Sequence, residues 1–109
     1  MNVSFSIIVP VYNRPQEIDE LLESLTQQDF KDKFEVIIVE DGSSDSSEEL
    51  VKKYTDSLNL NYFFKENSGA GASRNFGMGK ATGNYFIILD SDVIVPEQYL
   101  SEVSKALKD

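Results

Sequence analysis

The sequence predicts an α/β fold, an open and mainly parallel β-sheet with helices on both of its faces. Along the 109 residues the apolar pattern changes several times between short continuous runs, typical of buried strands, and the 3.6-residue spacing of amphipathic helices. The resulting order is β-α-β-α-β-α-β-α, and units that alternate in this way form parallel sheets with right-handed crossovers. Neither an internal repeat nor a linker interrupts the order, so we expect a single domain.

The first half of the chain contains two predicted strand–helix units. The first strand covers residues 5–9 and ends at Pro10, and Pro15 opens the helix that follows. Residues 34–39 form the second strand, and a turn rich in aspartate and serine leads into the second helix. Both helices have an apolar inner face, formed by Ile18, Leu21, Leu22 and Leu25 in the first and by Leu50, Val51, Tyr54 and Leu58 in the second.

The second half contains two further units. Residues 60–64 form the third strand, residues 70–81 the third helix and residues 85–89 the fourth strand, before a last helix over residues 96–107 that opens with a proline. Glycine is a weak helix former, so the glycines of the third helix need a reason. We expect them to mark places where the backbone approaches a neighbour or a ligand closely. These glycines are Gly71, Gly77 and Gly79.

The composition excludes several classes of protein. A net charge of −9 and a pI near 4.4 argue against nucleic acid or an anionic membrane as the main partner. The chain has no cysteine and no histidine, which excludes disulfides, thiol nucleophiles and triads that use histidine. No run approaches the ~20 apolar residues that span a bilayer, and no signal-peptide pattern is present. We therefore expect a cytoplasmic protein that holds any anionic ligand through a metal or local basic residues.

Polar and aromatic side chains follow each predicted strand. Parallel strands end at the same edge of their sheet, and ligands of open α/β sheets bind at that edge. The sequence therefore predicts a ligand site built from residues that are distant along the chain. The strand ends carry Pro10, Val11 and Tyr12; Glu40 and Asp41; Lys65, Glu66 and Asn67; and Asp90, Ser91 and Asp92.

Asp90 and Asp92, separated by Ser91, follow the fourth strand directly. Two carboxylates so close together repel each other unless a cation joins them, and oxygen ligands of this kind suit Mg²⁺ or Mn²⁺. Such a cation would in turn hold a diphosphate. The alternative is a solvated acidic turn that caps the next segment.

Three other residues are candidates for nucleotide binding. Tyr12 suits a stacked nucleobase, the alternative being a ring packed over the first helix. Asp41 suits a hydrogen bond from a base or a ribose hydroxyl, and we favour this over a cap of the second helix because Ser44 and Asp45 are better placed to cap. Arg74, near the start of the third helix, suits a phosphate, the alternative being a solvated surface cation.

With these residues identified, the chain closely resembles the family 2 glycosyltransferases, inverting enzymes of GT-A fold. The resemblance covers essentially all 109 residues. It implies that residues 1–109 are the Rossmann-like N-terminal half of a GT-A domain, which binds the nucleotide-sugar donor. The motifs that carry it are residues 6–13 (SIIVPVYN), residues 36–45 (VIIVEDGSSD), the segment with Asn67-Ser68-Gly69, Ala72-Ser73-Arg74-Asn75, Gly77 and Ala81-Thr82-Gly83, and Leu89-Asp90-Ser91-Asp92, which resembles the DXD motif.

The resemblance also implies a set of site residues and a donor that is commonly UDP-linked. By family analogy Pro10 and Tyr12 flank the base, and Asp41 hydrogen-bonds the uracil. Asp90 faces the ribose or the metal, and Asp92 ligates Mn²⁺ or Mg²⁺ on the diphosphate. The implied nucleotide-binding residues are Pro10, Tyr12, Asp41, Arg74, Asp90 and Ser91, and the implied metal ligands are Asp92 and Asp90.

One departure from the family concerns catalysis. Family members continue well past this stretch, into a half that supplies the acceptor site and the acidic general base. No acidic residue here is a good candidate for that base, since Glu97 and Glu102 resemble helix residues that face solvent. We therefore expect the 109-residue chain to bind the donor without transferring its sugar. The sequence does not identify the acceptor. We also expect uncovered apolar surface near residues 93–95 to favour self-association.

Two alternatives differ in class from a glycosyltransferase. A non-catalytic nucleotide-binding or regulatory module would keep the donor site and lack the base. A phosphoacceptor receiver domain has similar length and charge, but in the receiver pattern two acidic residues follow the first strand. Here that strand is followed by Pro10, Val11, Tyr12 and Asn13. We therefore favour the glycosyltransferase.

Overall fold

The computed structural model describes residues 3–108, which alternate between four strands and four helices. The predicted fold class and order of elements are confirmed. The elements are β1 (Phe5–Val11), α1 (Pro15–Thr26), β2 (Phe34–Asp41), α2 (Glu48–Lys52), β3 (Leu60–Lys65), α3 (Ala70–Lys80), β4 (Tyr85–Ile88) and α4 (Tyr99–Lys108).

All strands of the sheet are parallel, in the order β3-β2-β1-β4. Phe5 of β1 lies between Phe34 of β2 and Tyr85 of β4 in the register. The chain first extends the sheet from β1 through β2 to β3 and then crosses back to place β4 on the other side of β1. The strand order therefore reverses between β1 and β4, and ligands of open α/β sheets bind at the carboxyl ends of strands beside such a reversal.

Helices cover both faces of the sheet, but unequally. The larger core packs α1, α2 and α4 against one face, with Ile18, Val51 and Leu100 buried against residues such as Ile7 of β1. On the opposite face, α3 packs over a smaller core of Ile8, Ile37 and Val39.

Gly77 of α3 allows this helix to lie close to the sheet. A Cβ atom at Gly77 would lie 2.5 Å from Cγ2 of Ile8 and 3.3 Å from Cγ2 of Val39. The expectation of a close backbone approach is therefore confirmed at this position. At Gly79 a Cβ atom would meet no other atom within 4 Å, so the expectation of a close protein neighbour is wrong there, and an approach to a ligand stays a prediction.

Several boundaries differ from those predicted. Pro10 does not end β1, which continues to Val11. The backbone carbonyl of Ile8 accepts a hydrogen bond from Leu89 N at 3.0 Å, so the backbone polar groups of Ile8 point towards β4. The backbone of Pro10, two residues later, points in the same direction. Because β4 has ended at that level, the missing N–H of Pro10 removes no hydrogen bond of the sheet.

The other boundary differences are smaller. β2 extends to Asp41 and β4 ends at Ile88. The second helix is short, although Leu58 beyond its end is buried against the large core as predicted. The last helix begins at Tyr99 and not at Pro96.

Apolar side chains of β4 and of the segment after it are exposed. Phe86 and Ile88 lie on the face that α3 covers, but both are exposed. After β4, Ile94 is exposed and Val95 is buried. The uncovered surface predicted near residues 93–95 is therefore confirmed at Ile94 and wrong at Val95.

Candidate functional site

The carboxyl ends of β1 and β2 and the start of α3 surround a depression of about 290 Å³. Residues from three separate segments meet here because parallel strands end at a common edge. The residues that line it are Pro10, Val11, Tyr12, Asp41, Asn67, Gly69 and Ala70. The depression therefore brings together three residues that the sequence predicts for the nucleotide, from two different strands.

Tyr12 lies at the wall of this depression, with 54% of its surface exposed. More than half of this residue is therefore accessible to a ligand in the depression. The next residue, Asn13, has a positive φ of 53°. Asparagine adopts this left-handed conformation more readily than most residues, and it turns the chain sharply after β1.

Asp41 is only 5% exposed, and its carboxylate binds the loop between β3 and α3. Oδ1 accepts hydrogen bonds from Lys65 Nζ at 2.9 Å and Ser68 N at 2.8 Å, and Oδ2 accepts one from Gly69 N at 2.9 Å. Burial alone would raise the pKa of Asp41, but these hydrogen bonds and the Lys65 charge hold that pKa below its usual value. Asp41 is therefore an ionised acceptor in the wall of the depression.

Asp41 does not cap α2, and neither do the residues predicted to do so. Glu48 N, at the start of α2, donates to Ser46 Oγ at 3.1 Å. Asp45 N and Ser44 Oγ instead donate to Oδ1 of Asn13, in the turn after β1. The prediction that Ser44 or Asp45 caps α2 is therefore wrong, because the loop before α2 bonds to the neighbouring loop.

Gly42 lets the β2–α2 and β3–α3 loops touch. Its φ is +68°, and a Cβ atom there would lie 2.6 Å from Asn67 N. The Asn67 side chain donates to the Asp41 carbonyl oxygen at 3.0 Å. The Asp-Gly pair after β2 thus fixes one side of the depression by direct backbone packing.

Arg74 lies on α3 with an exposed side chain and is not among the residues that line the depression. The structure therefore places it near the site along the chain without bringing it into contact with Tyr12 or Asp41.

Asp90, Ser91 and Asp92 form a turn at the end of β4, on the other side of β1 from Asp41. Both carboxylates are exposed, and Ser91 is half-buried. Within residues 3–108, no group of three or more Asp, Glu, His or Cys side chains could hold a metal. Two exposed carboxylates fit a cation such as Mg²⁺ or Mn²⁺, which takes one or two protein carboxylates and completes its shell with phosphate and water oxygens.

The Ala81-Thr82-Gly83 motif has a structural role at the edge of the sheet where the strands begin, opposite the candidate site. Glu35 Oε2 accepts hydrogen bonds from Ser6 Oγ at 2.5 Å, Thr82 N at 2.6 Å and Thr82 Oγ1 at 2.8 Å. A Cβ atom at Gly83 would lie 2.8 Å from the Phe5 carbonyl carbon. Ala81-Thr82-Gly83 is therefore a turn that joins α3 to β4, far from the candidate site.

Sequence reasoning missed the role of Glu40, Ser43 and Asn13. Glu40 is fully buried and accepts hydrogen bonds from four donors, which Ser43, Ser47 and Tyr62 supply. Burial, together with the Glu40 carboxylate, raises the pKa of Tyr62 to about 12. The sequence feature that could have indicated this role is an acidic residue near the carboxyl end of an otherwise apolar strand, VIIVE over residues 36–40.

This sheet, with its reversal beside β1 and its ligand-sized depression at the strand ends, has the GT-A architecture of solved glycosyltransferases. The chain belongs to glycosyl transferase family 2, whose sequence model matches residues 6–109.

Similar proteins include transferases with bound nucleotides. The poly(ribitol-phosphate) β-N-acetylglucosaminyltransferase TarS of Staphylococcus aureus is 39% identical over 105 residues, which are 94% of this chain and 18% of that protein. A crystal structure of TarS 1–349 with UDP-GlcNAc superposes with a TM-score of 0.91 at 38% identity, over 96% of this chain and 31% of that one. The structure of the mannosyltransferase PcManGT of Pyrobaculum calidifontis, in complex with GDP-Man and Mn²⁺, superposes with a TM-score of 0.92 at 30% identity. The match covers 100% of this chain and 33% of that one.

The chain thus spans about a fifth of the length of TarS. No helix within residues 3–108 is long and apolar enough to cross a membrane.

Proposed function

We propose that this chain is the donor-binding part of an inverting glycosyltransferase and binds a nucleotide sugar, UDP-linked, together with Mn²⁺ or Mg²⁺. The observation that carries the proposal is the strand order. Because β1 lies between β2 and β4, the strand that ends in Asp41 and the strand followed by Asp90 and Asp92 lie on either side of the strand that leads to Tyr12. The nucleotide sugars bound to TarS and PcManGT support this assignment.

Each side of the site suits one part of the donor. The exposed Tyr12 ring would stack on the base, an interaction that contributes about 1–3 kcal/mol per base where proteins bind single-stranded nucleic acids. Asp41, ionised and partly satisfied by backbone N–H groups, would accept a hydrogen bond from the uracil N–H. Pro10 would line the base side. Arg74 and Ser91 would contact the phosphate and sugar side.

The charge of the chain explains why the diphosphate needs a cation. With a net charge of −9, the protein repels an anionic ligand at long range. Asp90 and Asp92 would hold the cation against the diphosphate. When bound, such a cation offsets the charge that develops on the leaving diphosphate.

Calorimetric titration of the 109-residue chain with UDP tests the proposal. We expect binding with Mn²⁺ or Mg²⁺ and loss of binding in EDTA, since without the cation two carboxylates face the diphosphate. A parallel titration with GDP tests the choice of base. Equal affinity with and without EDTA would contradict the metal site, and no binding of either nucleotide under any condition would contradict the donor site.

The proposal assigns no general base to this chain. An inverting transfer needs a carboxylate that takes the proton of the attacking acceptor hydroxyl. We therefore propose that the chain alone binds donor without transferring sugar, and robust transfer to any acceptor would contradict this. A non-catalytic nucleotide-binding module would behave in the same way. The extent of the natural gene beyond Asp109 separates the two, and a cytoplasmic location remains a prediction.

We also propose that the isolated chain self-associates through the apolar side chains exposed on and after β4. These are Tyr85, Phe86, Ile88 and Ile94. Sedimentation equilibrium that gives a monomer at all concentrations up to the solubility limit would contradict this.

A further inference from the structure

Glu40 is a buried carboxylate that lies next to the candidate site but does not face it. Successive residues of a strand point to opposite faces of the sheet, so Asp41 faces the depression while Glu40 points into the core on the side of α1 and α2. Glu40 has no exposed surface. A fully buried carboxylate is costly unless it is well hydrogen-bonded, so its partners indicate its role.

The partners of Glu40 come from the β2–α2 loop and from β3. Oε1 accepts hydrogen bonds from Ser47 N at 2.8 Å, Ser47 Oγ at 2.6 Å and Tyr62 OH at 3.0 Å. Oε2 accepts one from Ser43 Oγ. Glu40 therefore fixes the β2–α2 loop at two points, Ser43 and Ser47.

Ser43 extends this network to the turn that carries Tyr12. While its hydroxyl donates to Glu40, its Oγ atom accepts a hydrogen bond from Asn13 N at 2.8 Å. The Asn13 side chain bonds back to the same loop, where Oδ1 accepts from Asp45 N at 2.9 Å. Asn13, with its φ of 53°, is thus held from its backbone and from its side chain.

Tyr12 immediately precedes this clamped residue and is itself 54% exposed. The hydrogen bonds from the β2–α2 loop reach this turn through the backbone and side chain of Asn13. We propose that Glu40 and Ser43 are positioning residues, which hold the Asn13 turn so that Tyr12 is placed to stack on the nucleobase of the donor. The inference rests on the proposed function, since it assumes that a nucleotide binds beside Tyr12.

The expected size of the effect follows from the cost of ordering a side chain on binding. If the clamp is lost, Tyr12 must be immobilised when the nucleotide binds. Ordering one side chain typically costs about three- to tenfold in affinity. Loss of the Ser43 hydroxyl should therefore weaken nucleotide binding by about this factor, although Ser43 is not among the residues that line the depression.

The chain offers a matched pair of variants, Ser43→Ala and Ser47→Ala. Both serines are buried, and the hydroxyl of each donates to Glu40. Only the Ser43 hydroxyl also accepts from Asn13, and Ser47→Ala keeps the Ser47 N–H bond to Glu40. In titrations with UDP and Mn²⁺, we expect the affinity to fall about three- to tenfold for Ser43→Ala and to stay within about twofold for Ser47→Ala. Equal losses for both variants would overturn the proposal.

A double-mutant cycle with Tyr12→Ala tests whether Ser43 acts through Tyr12. If it does, Ser43→Ala causes no further loss of UDP affinity once the ring is absent, because the two effects share one cause. Additive losses would overturn the proposal. Amide hydrogen exchange at Asn13 gives a second readout, which we expect to accelerate in Ser43→Ala and not in Ser47→Ala.

Glu40→Gln tests the origin of the network. The amide cannot accept from donors at both of its ends, so we expect the same direction of change as in Ser43→Ala. If Glu40→Gln does not fold, the serine pair still decides the question. A wild-type chain that binds UDP while Ser43→Ala matches Ser47→Ala contradicts this inference alone. A wild-type chain that binds no nucleotide contradicts the proposed function, and this inference with it.

Discussion

Replacing Asp92 with alanine is expected to weaken the binding of UDP in the presence of Mn²⁺ by at least about 100-fold. Loss of residues that merely support a metal ligand costs about 10- to 100-fold in metal affinity, so loss of one of two carboxylate ligands should cost at least as much. Within residues 3–108 no third acidic side chain joins Asp90 and Asp92 to compensate. Calorimetric titration with UDP and Mn²⁺ measures the effect, with urea unfolding to show that stability changes by no more than about 0.5 kcal/mol at this exposed position.

Asp56→Ala is the matched control for this experiment. Asp56 is exposed and lies just before β3, at the edge of the sheet opposite the site. Its loss changes the net charge by the same amount as the loss of Asp92, at a position distant from the site. We expect Asp56→Ala to leave UDP affinity unchanged or slightly raised. Similar losses in the two variants would show that Asp92 is not a metal ligand.

Asp41→Asn is expected to lower the free energy of unfolding by about 2–3 kcal/mol, because it leaves the Lys65 charge largely buried without its partner. The side chains of Asp41 and Lys65 are 7% and 17% exposed, and Lys65 Nζ lies 2.9 Å from Asp41 Oδ1. The change also weakens the bonds that hold the start of α3. Urea unfolding of the variant against the wild type measures the loss.

Lys65→Met in the same background provides the control. Removing the unpaired cation should restore part of the stability that Asp41→Asn loses, although not the bonds to Ser68 and Gly69. Strictly additive losses would show that the ion pair contributes nothing. We expect UDP affinity to be lower than that of the wild type in both the single and the double variant, since both lack the ionised acceptor for the uracil N–H.

The pH dependence of stability has a defined sign. Hydrogen bonds and the Lys65 charge outweigh burial and hold the pKa of Asp41 below its usual value of 3.8, so the folded state favours the ionised form. Its stabilising contribution is complete above that usual value and is lost as the pH falls through the lower pKa of the folded state. Glu35 acts in the same direction, because hydrogen bonds from Ser6 and Thr82 outweigh its burial and lower its pKa. Below about pH 4 the difference in stability between wild type and Asp41→Asn should shrink, and a constant difference down to pH 2 would contradict this.

Much of the candidate site could be predicted because its residues follow strands. Tyr12 and Asp41 come directly after buried apolar runs, and the structure confirms that both line one depression. The predicted strand end at Pro10 is wrong, since a local rule about proline does not reveal that β4 ends before it reaches Pro10, so that the missing N–H of Pro10 removes no bond to β4. The predicted cap of α2 is wrong for a similar reason, because the partner of Asp45 comes from a distant part of the chain. Asp45 N donates to Asn13 Oδ1 in the turn after β1.

The sequence by itself determined the order of strands and helices, their faces and the family, because these depend on local periodicity and on motifs read along the chain. The tertiary structure decided which strands are neighbours, and so placed the strand that ends in Asp41 and the strand that precedes Asp92 on opposite sides of β1. It also separated two adjacent acids, with Glu40 buried in a hydrogen-bond network and Asp41 beside the depression. The alternation of a strand sends the two side chains to opposite faces, but only the packing of distant loops supplies their hydrogen-bond partners.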